Sequence, residues 1–259
     1  MIEKPKNINL NLGDGRVSKI DSDVHKLIVG FQNEINSLKS KIPLFWDLSL
    51  NIKGYSEYLL EFYGQVLKNH SLSTSQLFQD LFVLFIHNEK TNGTFLEFGA
   101  TNGVELSNSF MLEQKFGWTG VLAEPSPQWH SKLFENRPNT TILTDCIYSE
   151  TGKKLDFFVS EQGVLSTLEE FKNSDIASMP GNTKSRNASG YNCQVDTISL
   201  NDVISKYFYG TKIDYMSVDT EGSELLILKH FDFSKYAPKV VTVEHNFTDS
   251  EKELDELFA

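Results

Sequence analysis

Five short apolar runs, at 94–98, 120–124, 140–144, 213–219 and 239–244, alternate with amphipathic stretches near 107–116, 126–136, 199–207 and 222–230. Runs of strand length separated by helical crossovers specify a mostly parallel sheet with helices on both faces. This predicts an α/β, Rossmann-like domain over 73–259, and a chain of 259 residues leaves room for an appendage over 1–72. A further strand is expected at Leu155–Val159. The polar stretch 172–192 has few apolar anchors and reads as a mobile loop or lid.

Residues 1–17 are polar and contain glycine, and they read as loosely ordered. From Ile20 the apolar positions Val24, Leu27, Phe31, Ile35, Leu38 and Ile42 follow at spacings of 3 or 4, a helical stripe close to a heptad seam that Pro43 ends. Ile52, Tyr55, Leu59, Phe62, Val66 and Leu67 predict a second helix. This helical appendage is expected either to pack on its own core or to form a homodimer through residues 20–42. Ser73 and Gln76 have capping-box spacing ahead of Leu77, Phe78, Leu81, Phe82 and Phe85, which predicts an amphipathic helix.

A net charge of −11 without any basic block argues against nucleic acid and anionic membrane surfaces as partners. No segment approaches the roughly 18 apolar residues of a membrane span, and no leader-like apolar region opens the chain. Cys146 and Cys193 lie in no metal-binding motif. These features lead us to expect a cytoplasmic protein with reduced thiols.

In an open parallel sheet, ligands sit at the carboxyl ends of the strands. Acids stand at nearly every such end. The first run ends on Glu97 and the turn Gly99-Ala100-Thr101-Asn102-Gly103. The second ends on Glu124 and Pro125, the third on Asp145 and Cys146. The fourth carries Asp219, Glu221 and Glu224, and the fifth Glu244 and His245. A dinucleotide site would need G-x-G-x-x-G, so that backbone approaches a pyrophosphate. This turn lacks that pattern, and an acid two residues before its first glycine would oppose a pyrophosphate. It suits a ligand that carries a cation. S-adenosyl-L-methionine has an ammonium and a sulfonium and no phosphate. Glu124 is then placed to accept both ribose hydroxyls, and Asp145 to accept from the adenine amino group. Ser107 and Asn108 either reach the methionine end or cap the following helix. Glu224 is expected to cap its own helix.

Several runs together resemble the FkbM family of methyltransferases: SQLFQDLFVL (75–84), FLEFGATNGVELSNS (95–109), FGWTGVLAEPSP (116–127), VLSTL (164–168), DYMSVDTEGSELLIL (214–228) and VVTVEHN (240–246). The family more often has Asp before the first glycine and Asn at the position of Thr101. The resemblance implies a class I methyltransferase sheet and S-adenosyl-L-methionine held by Glu97, Gly99, Ala100, Thr101, Asn102, Gly103, Ser107, Glu124, Pro125, Asp145 and Cys146. It also implies O-methylation, commonly of a sugar hydroxyl. A nucleotide-linked sugar for surface polysaccharide is the acceptor expected.

A sugar hydroxyl is too weak an acid to ionise unaided, so a base or a metal is needed. The fourth and fifth strand ends are similar to those of catechol-type O-methyltransferases, which hold a divalent cation there. Asp219, Glu244 and His245, with Glu221, are the expected ligands for Mg²⁺ or Mn²⁺. His245 or Glu221 is the expected base. Three other readings stay open: a polyketide-type small-molecule O-methyltransferase, a nicotinamide-dependent sugar oxidoreductase, and a non-catalytic interaction module. Sheets of this family usually carry two more strands after the fifth, whereas this sequence stops at EKELDELFA (251–259). Either the sequence is truncated or the sheet edge is rebuilt another way.

Overall fold

The computed structural model describes residues 7–11, 17–21 and 56–259. Strands β1 (Asn7–Asn11) and β2 (Val17–Asp21) pair antiparallel, with Ile8 opposite Ile20. The expectation of loose order therefore fails for residues 7–11. Ile20 belongs to a strand rather than to a helix, because Ile8 and Leu10 set an alternation of period two that Ile20 joins. The rest of the 20–42 seam, the dimerisation reading attached to it, and Ile52 and Tyr55 lie outside the described residues.

Residues 62–259 form one compact unit. Helix α1 (Ser56–Asn69) buries Phe62 and Val66 in it, and Phe62 meets Phe82 and Phe85 at ring-centroid distances of 5.9 and 5.5 Å. Helix α2 (Gln79–Ile86) starts later than a Ser73–Gln76 capping box would place it. Phe78 takes a left-handed φ of 63°, and the first turn is held by the Ser75 hydroxyl, which accepts from Asp80 N at 3.1 Å. Ser73 donates instead to the Asp80 carboxylate at 2.7 Å, and Gln76 is exposed.

The sheet then follows the alternation. Its elements are β3 (Thr94–Phe98), α3 (Phe110–Phe116), β4 (Thr119–Ala123), α4 (Pro127–Asn136) and β5 (Thr141–Leu143). Further along the chain, β10 (Tyr215–Val218), α7 (Glu224–Lys229), β11 (Val240–Val243) and α8 (Ser250–Phe258) complete it. The order is β11-β10-β3-β4-β5, and every pairing is parallel. Because helices cover both faces, the strands read as near-continuous apolar runs. Leu96, Phe98, Val121, Ala123, Met216 and Val218 sit in one buried cluster with Ile227 and Leu228 of α7. The strand order reverses between β3 and β10, and in open sheets of this kind ligands bind beside the carboxyl ends at such a reversal.

A second, four-stranded sheet lies in the middle of the chain. It comprises β6 (Cys146–Tyr148), β7 (Lys154–Ser160), β8 (Thr167–Leu168) and β9 (Gly190–Ser199), in the order β6-β9-β7-β8. Helix α6 (Leu200–Tyr207) follows it, capped by the Ser199 hydroxyl, which accepts from Asp202 N at 3.1 Å.

The polar stretch 172–192 is not a structureless lid. It contains helix α5 (Pro180–Ala188), which leads directly into β9. Its anchor is polar rather than apolar: Arg186 is fully buried and ion-paired to Asp175 and Glu221, each at 2.7 Å. A search for apolar anchors could not have found it.

Candidate active site

The glycine turn leaves β3 beneath the switch point. Gly99 N donates to Ala123 O at 3.0 Å, and Gly99 has φ +73°. A Cβ there would lie 2.1 Å from Asp219 O, so the turn after β3 and the turn after β10 touch through bare backbone. Gly99→Ala is accordingly expected to destabilise the fold by about 1–3 kcal/mol, measured as a lowered urea midpoint with an unchanged slope.

Ala100 is buried, and Thr101 sits at φ 47° with its backbone N donating to Glu124 Oε2 at 2.8 Å. The Asn102 side chain is used within the loop, where Oδ1 accepts from Val104 N and Glu105 N, both at 2.9 Å. Gly103 has φ +77° and packs on Leu133 and Arg137.

Glu97 is buried and engaged. Asn108 N donates to it at 2.8 Å and Ser107 Oγ at 3.1 Å, and the Ser109 hydroxyl also bonds it. Its carboxylate therefore ties down the 107–109 loop. Ser107 Oγ in turn accepts from Ser109 N at 3.3 Å and Phe110 N at 3.1 Å, so it holds the turn leading into α3, whose N-cap position is Ser109. Asn108 donates to Ser217 Oγ at 2.9 Å, while its Oδ1 is buried without a hydrogen-bond partner among the described residues.

Glu124 ends β4 fully desolvated. Its oxygens accept from Thr101 N and Ser126 N, each at 2.8 Å, and burial raises its pKa to about 7. A carboxylate offers about four acceptor positions, so two remain for a ligand's hydroxyls. Pro125 and Asp145 are half-buried at the neighbouring strand ends. Cys146 faces elsewhere, into the core of the second sheet with Phe157, Val159 and Leu168. Burial pushes its thiol up to about 12.

Arg137 is a residue that sequence reasoning missed. It is fully buried, donates to Glu113 at 2.7 Å, Gly103 O at 2.9 Å and Ser109 Oγ at 3.0 Å, and lies over the rings of Phe95 and Phe110. It clamps the glycine turn from below. The only trace of it in the sequence is an arginine at the end of a predicted helix.

At the ends of β10 and β11 the carboxylates of Asp219, Glu221 and Glu244 converge, with one oxygen of each within 4.8 Å of the others. Burial raises the pKa of all three; the Asp219 carboxylate adds to the rise at Glu221 and Glu244, and Glu224 and Glu97 add to the rise at Asp219. Glu244 is the most strongly raised of the three, by burial first and then by the neighbouring Asp219 and Glu221 carboxylates. Glu244 Oε2 is buried with no partner among the described residues. Glu221 has φ 60°, an uncommon value for a side-chain-bearing residue.

His245 is not drawn into this group. The chain turns away through Asn246 (φ 48°) and Phe247 (φ 52°), and His245 Nδ1 accepts from Phe247 N at 3.1 Å beside Glu251. Glu224 opens its own helix without capping it: its carboxylate accepts from Thr220 N at 2.8 Å and Gly222 N at 3.0 Å, in the turn before the helix rather than in its first turn.

A five-stranded parallel sheet with this switch point and these acids at its strand ends defines a Rossmann-like fold of the methyltransferase type. Residues 97–259 match the family described as the Methyltransferase FkbM domain. The chain belongs to this FkbM methyltransferase family. Comparison with curated proteins and with solved structures gave no match. Among the described residues no helix is long and apolar enough to cross a membrane.

Proposed function

We propose that the protein is an S-adenosyl-L-methionine-dependent O-methyltransferase acting on a carbohydrate hydroxyl, with a nucleotide-linked sugar as the acceptor. The observation that carries this reading is the pairing of two sites across the switch point. Desolvated Glu124 has acceptor positions to spare on one side, and three converging carboxylates stand on the other.

The residues present fit the donor. Glu124 would take the ribose hydroxyls, and the unpartnered Asn108 Oδ1 is a ready acceptor for an ammonium. The backbone of Gly99 to Gly103 lines the approach, with Ser107, Pro125 and Asp145 at its margins. S-adenosyl-L-methionine supplies a methyl group on a positively charged sulfur. The chain's own contribution is to align the acceptor oxygen and to take its proton, and Glu221 is the group we assign to that proton.

The donor set also fits a divalent cation. Three hard oxygen ligands, one of them with an orphaned buried atom, match Mg²⁺ or Mn²⁺. Asp219, Glu221 and Glu244 would hold it, with His245 outside. A bound cation would lower the pKa of a coordinated hydroxyl. A cleft of about 410 Å³ includes Phe171, Ser174, Gly222, His245, Asn246 and Thr248 in its lining. An aromatic ring among hydroxyl and amide groups suits a polyhydroxylated acceptor.

The assignment is tested by incubating the protein with S-adenosyl-L-methionine and a panel of nucleotide sugars, followed by mass spectrometry. A product heavier by one methylene unit is expected. A folded protein that binds S-adenosylhomocysteine but methylates no sugar in the panel refutes the acceptor class. If activity survives exhaustive EDTA treatment undiminished, the cation is not part of the reaction.

A further inference from the structure

Glu221 owes its place in the carboxylate group to a segment distant in sequence. Arg186 is fully buried, and each of its five N–H donors has an acceptor. Nε donates to Leu165 O at 2.8 Å. Nη1 donates to Lys172 O at 3.0 Å and to Asp175 Oδ1 at 2.7 Å. Nη2 donates to Asp175 Oδ2 at 3.1 Å and to Glu221 Oε2 at 2.7 Å. A guanidinium fixed at four points besides Glu221 has no freedom to follow it, so Glu221 must come to it.

The backbone of Glu221 is held as well. The Thr167 hydroxyl, itself fully buried, donates to Glu221 O at 2.9 Å. Gly222 packs so closely on Phe171 and Ser174 that a Cβ would lie 2.6 Å from Ser174 Oγ. These contacts stabilise the left-handed φ of 60° and leave Oε1 of Glu221 outside the pairing with Arg186.

We infer that Arg186, supported by Thr167, is the positioning residue that holds Glu221 as a ligand in a divalent-cation site with Asp219 and Glu244. The inference rests on the cation reading above. The competing role for Arg186 is simple charge neutralisation. The two roles predict opposite signs. A neutralising arginine repels a cation, so its removal tightens cation binding. A positioning arginine delivers a ligand, so its removal weakens it.

The test uses Mn²⁺ alone as the probe, with affinity measured by electron paramagnetic resonance and calorimetry on the full chain. Glu221→Gln is expected to weaken Mn²⁺ binding by roughly 10–100-fold, and Arg186→Lys and Arg186→Met by a similar factor. The double variant Arg186→Met/Glu221→Gln is expected to bind no more weakly than Glu221→Gln, since both changes remove one interaction. S-adenosylhomocysteine affinity serves as the control for folding. If the methionine variant does not fold, Thr167→Val carries the same expectation. Unchanged or tighter Mn²⁺ binding in the Arg186 variants, or additive losses in the double variant, overturns the inference while leaving the cation site standing. Absence of Mn²⁺ binding by the wild type overturns both.

Discussion

Glu124→Ala is expected to weaken S-adenosylhomocysteine binding by at least about 100-fold, because two hydrogen bonds to a charged, desolvated acceptor are worth roughly 1.5–3 kcal/mol each. The loss extends beyond those bonds. Glu124 also accepts from Thr101 N of the glycine turn and from Ser126 N after β4, so its removal leaves two backbone donors without their partner. The same carboxylate makes binding depend on pH. Its pKa is raised by burial to about 7 in the free protein. The proton must leave before both oxygens can accept from a ligand, so affinity is expected to rise with pH up to about 7 and to level off above it. Calorimetric titration at several pH values checks both statements. Undiminished binding in the alanine variant would remove Glu124 from the site.

Arg186→Met is expected to be the most destabilising single change in the second sheet region. It strands Asp175 and Glu221, whose side chains are 2% and 11% exposed, as buried carboxylates without a counter-charge. Breaking such a pair costs about 3–5 kcal/mol, which corresponds to a drop of roughly 6–20 °C in Tm for a domain of this size. Burial works to raise the Asp175 pKa, but the bonds from Arg186 and Thr183 outweigh it and hold the carboxyl below its ordinary value. The wild type therefore keeps this increment of stability above the usual Asp range near pH 4 and loses it as pH falls through the depressed value. The variant should show a smaller loss over that acid range. Thermal unfolding of both proteins at neutral and acid pH measures the difference, and a change of under about 1 kcal/mol would mean that the network anchors nothing.

The parallel sheet was legible because its strands are buried on both faces and write their burial as near-continuous apolar runs, broken in FLEF at 95–98 only by Glu97 and in YMSV at 215–218 only by Ser217. The acids were legible because fold topology fixes where a strand end lies. Strand β9 was not. Its exposed residues alternate with Val195 and Thr197, but its start lies within the polar stretch 172–192. Helix α5 was hidden for the opposite reason, since its buried residues are Thr183 and Arg186. Burial by ion pairing leaves no hydrophobic period to read. The turn of His245 away from the carboxylates was equally invisible, because left-handed φ at Asn246 and Phe247 is a decision of the folded chain. Cys146 was placed at the right strand end but on the wrong side of it.

The contact between Gly99 and Asp219 O has a thermodynamic consequence. With backbone against backbone and no side chain to absorb a shift, the floor of the donor crevice and the floor of the carboxylate group are a single rigid seam. Two ligands resting on one seam are linked, and linkage is reciprocal. If the proposed cation binds at Asp219, whatever factor it adds to the affinity for the methyl donor, the donor must add to the affinity for the cation. Under the proposed reaction, conversion of the donor to S-adenosylhomocysteine would change that factor and so set how firmly the cation is retained between turnovers.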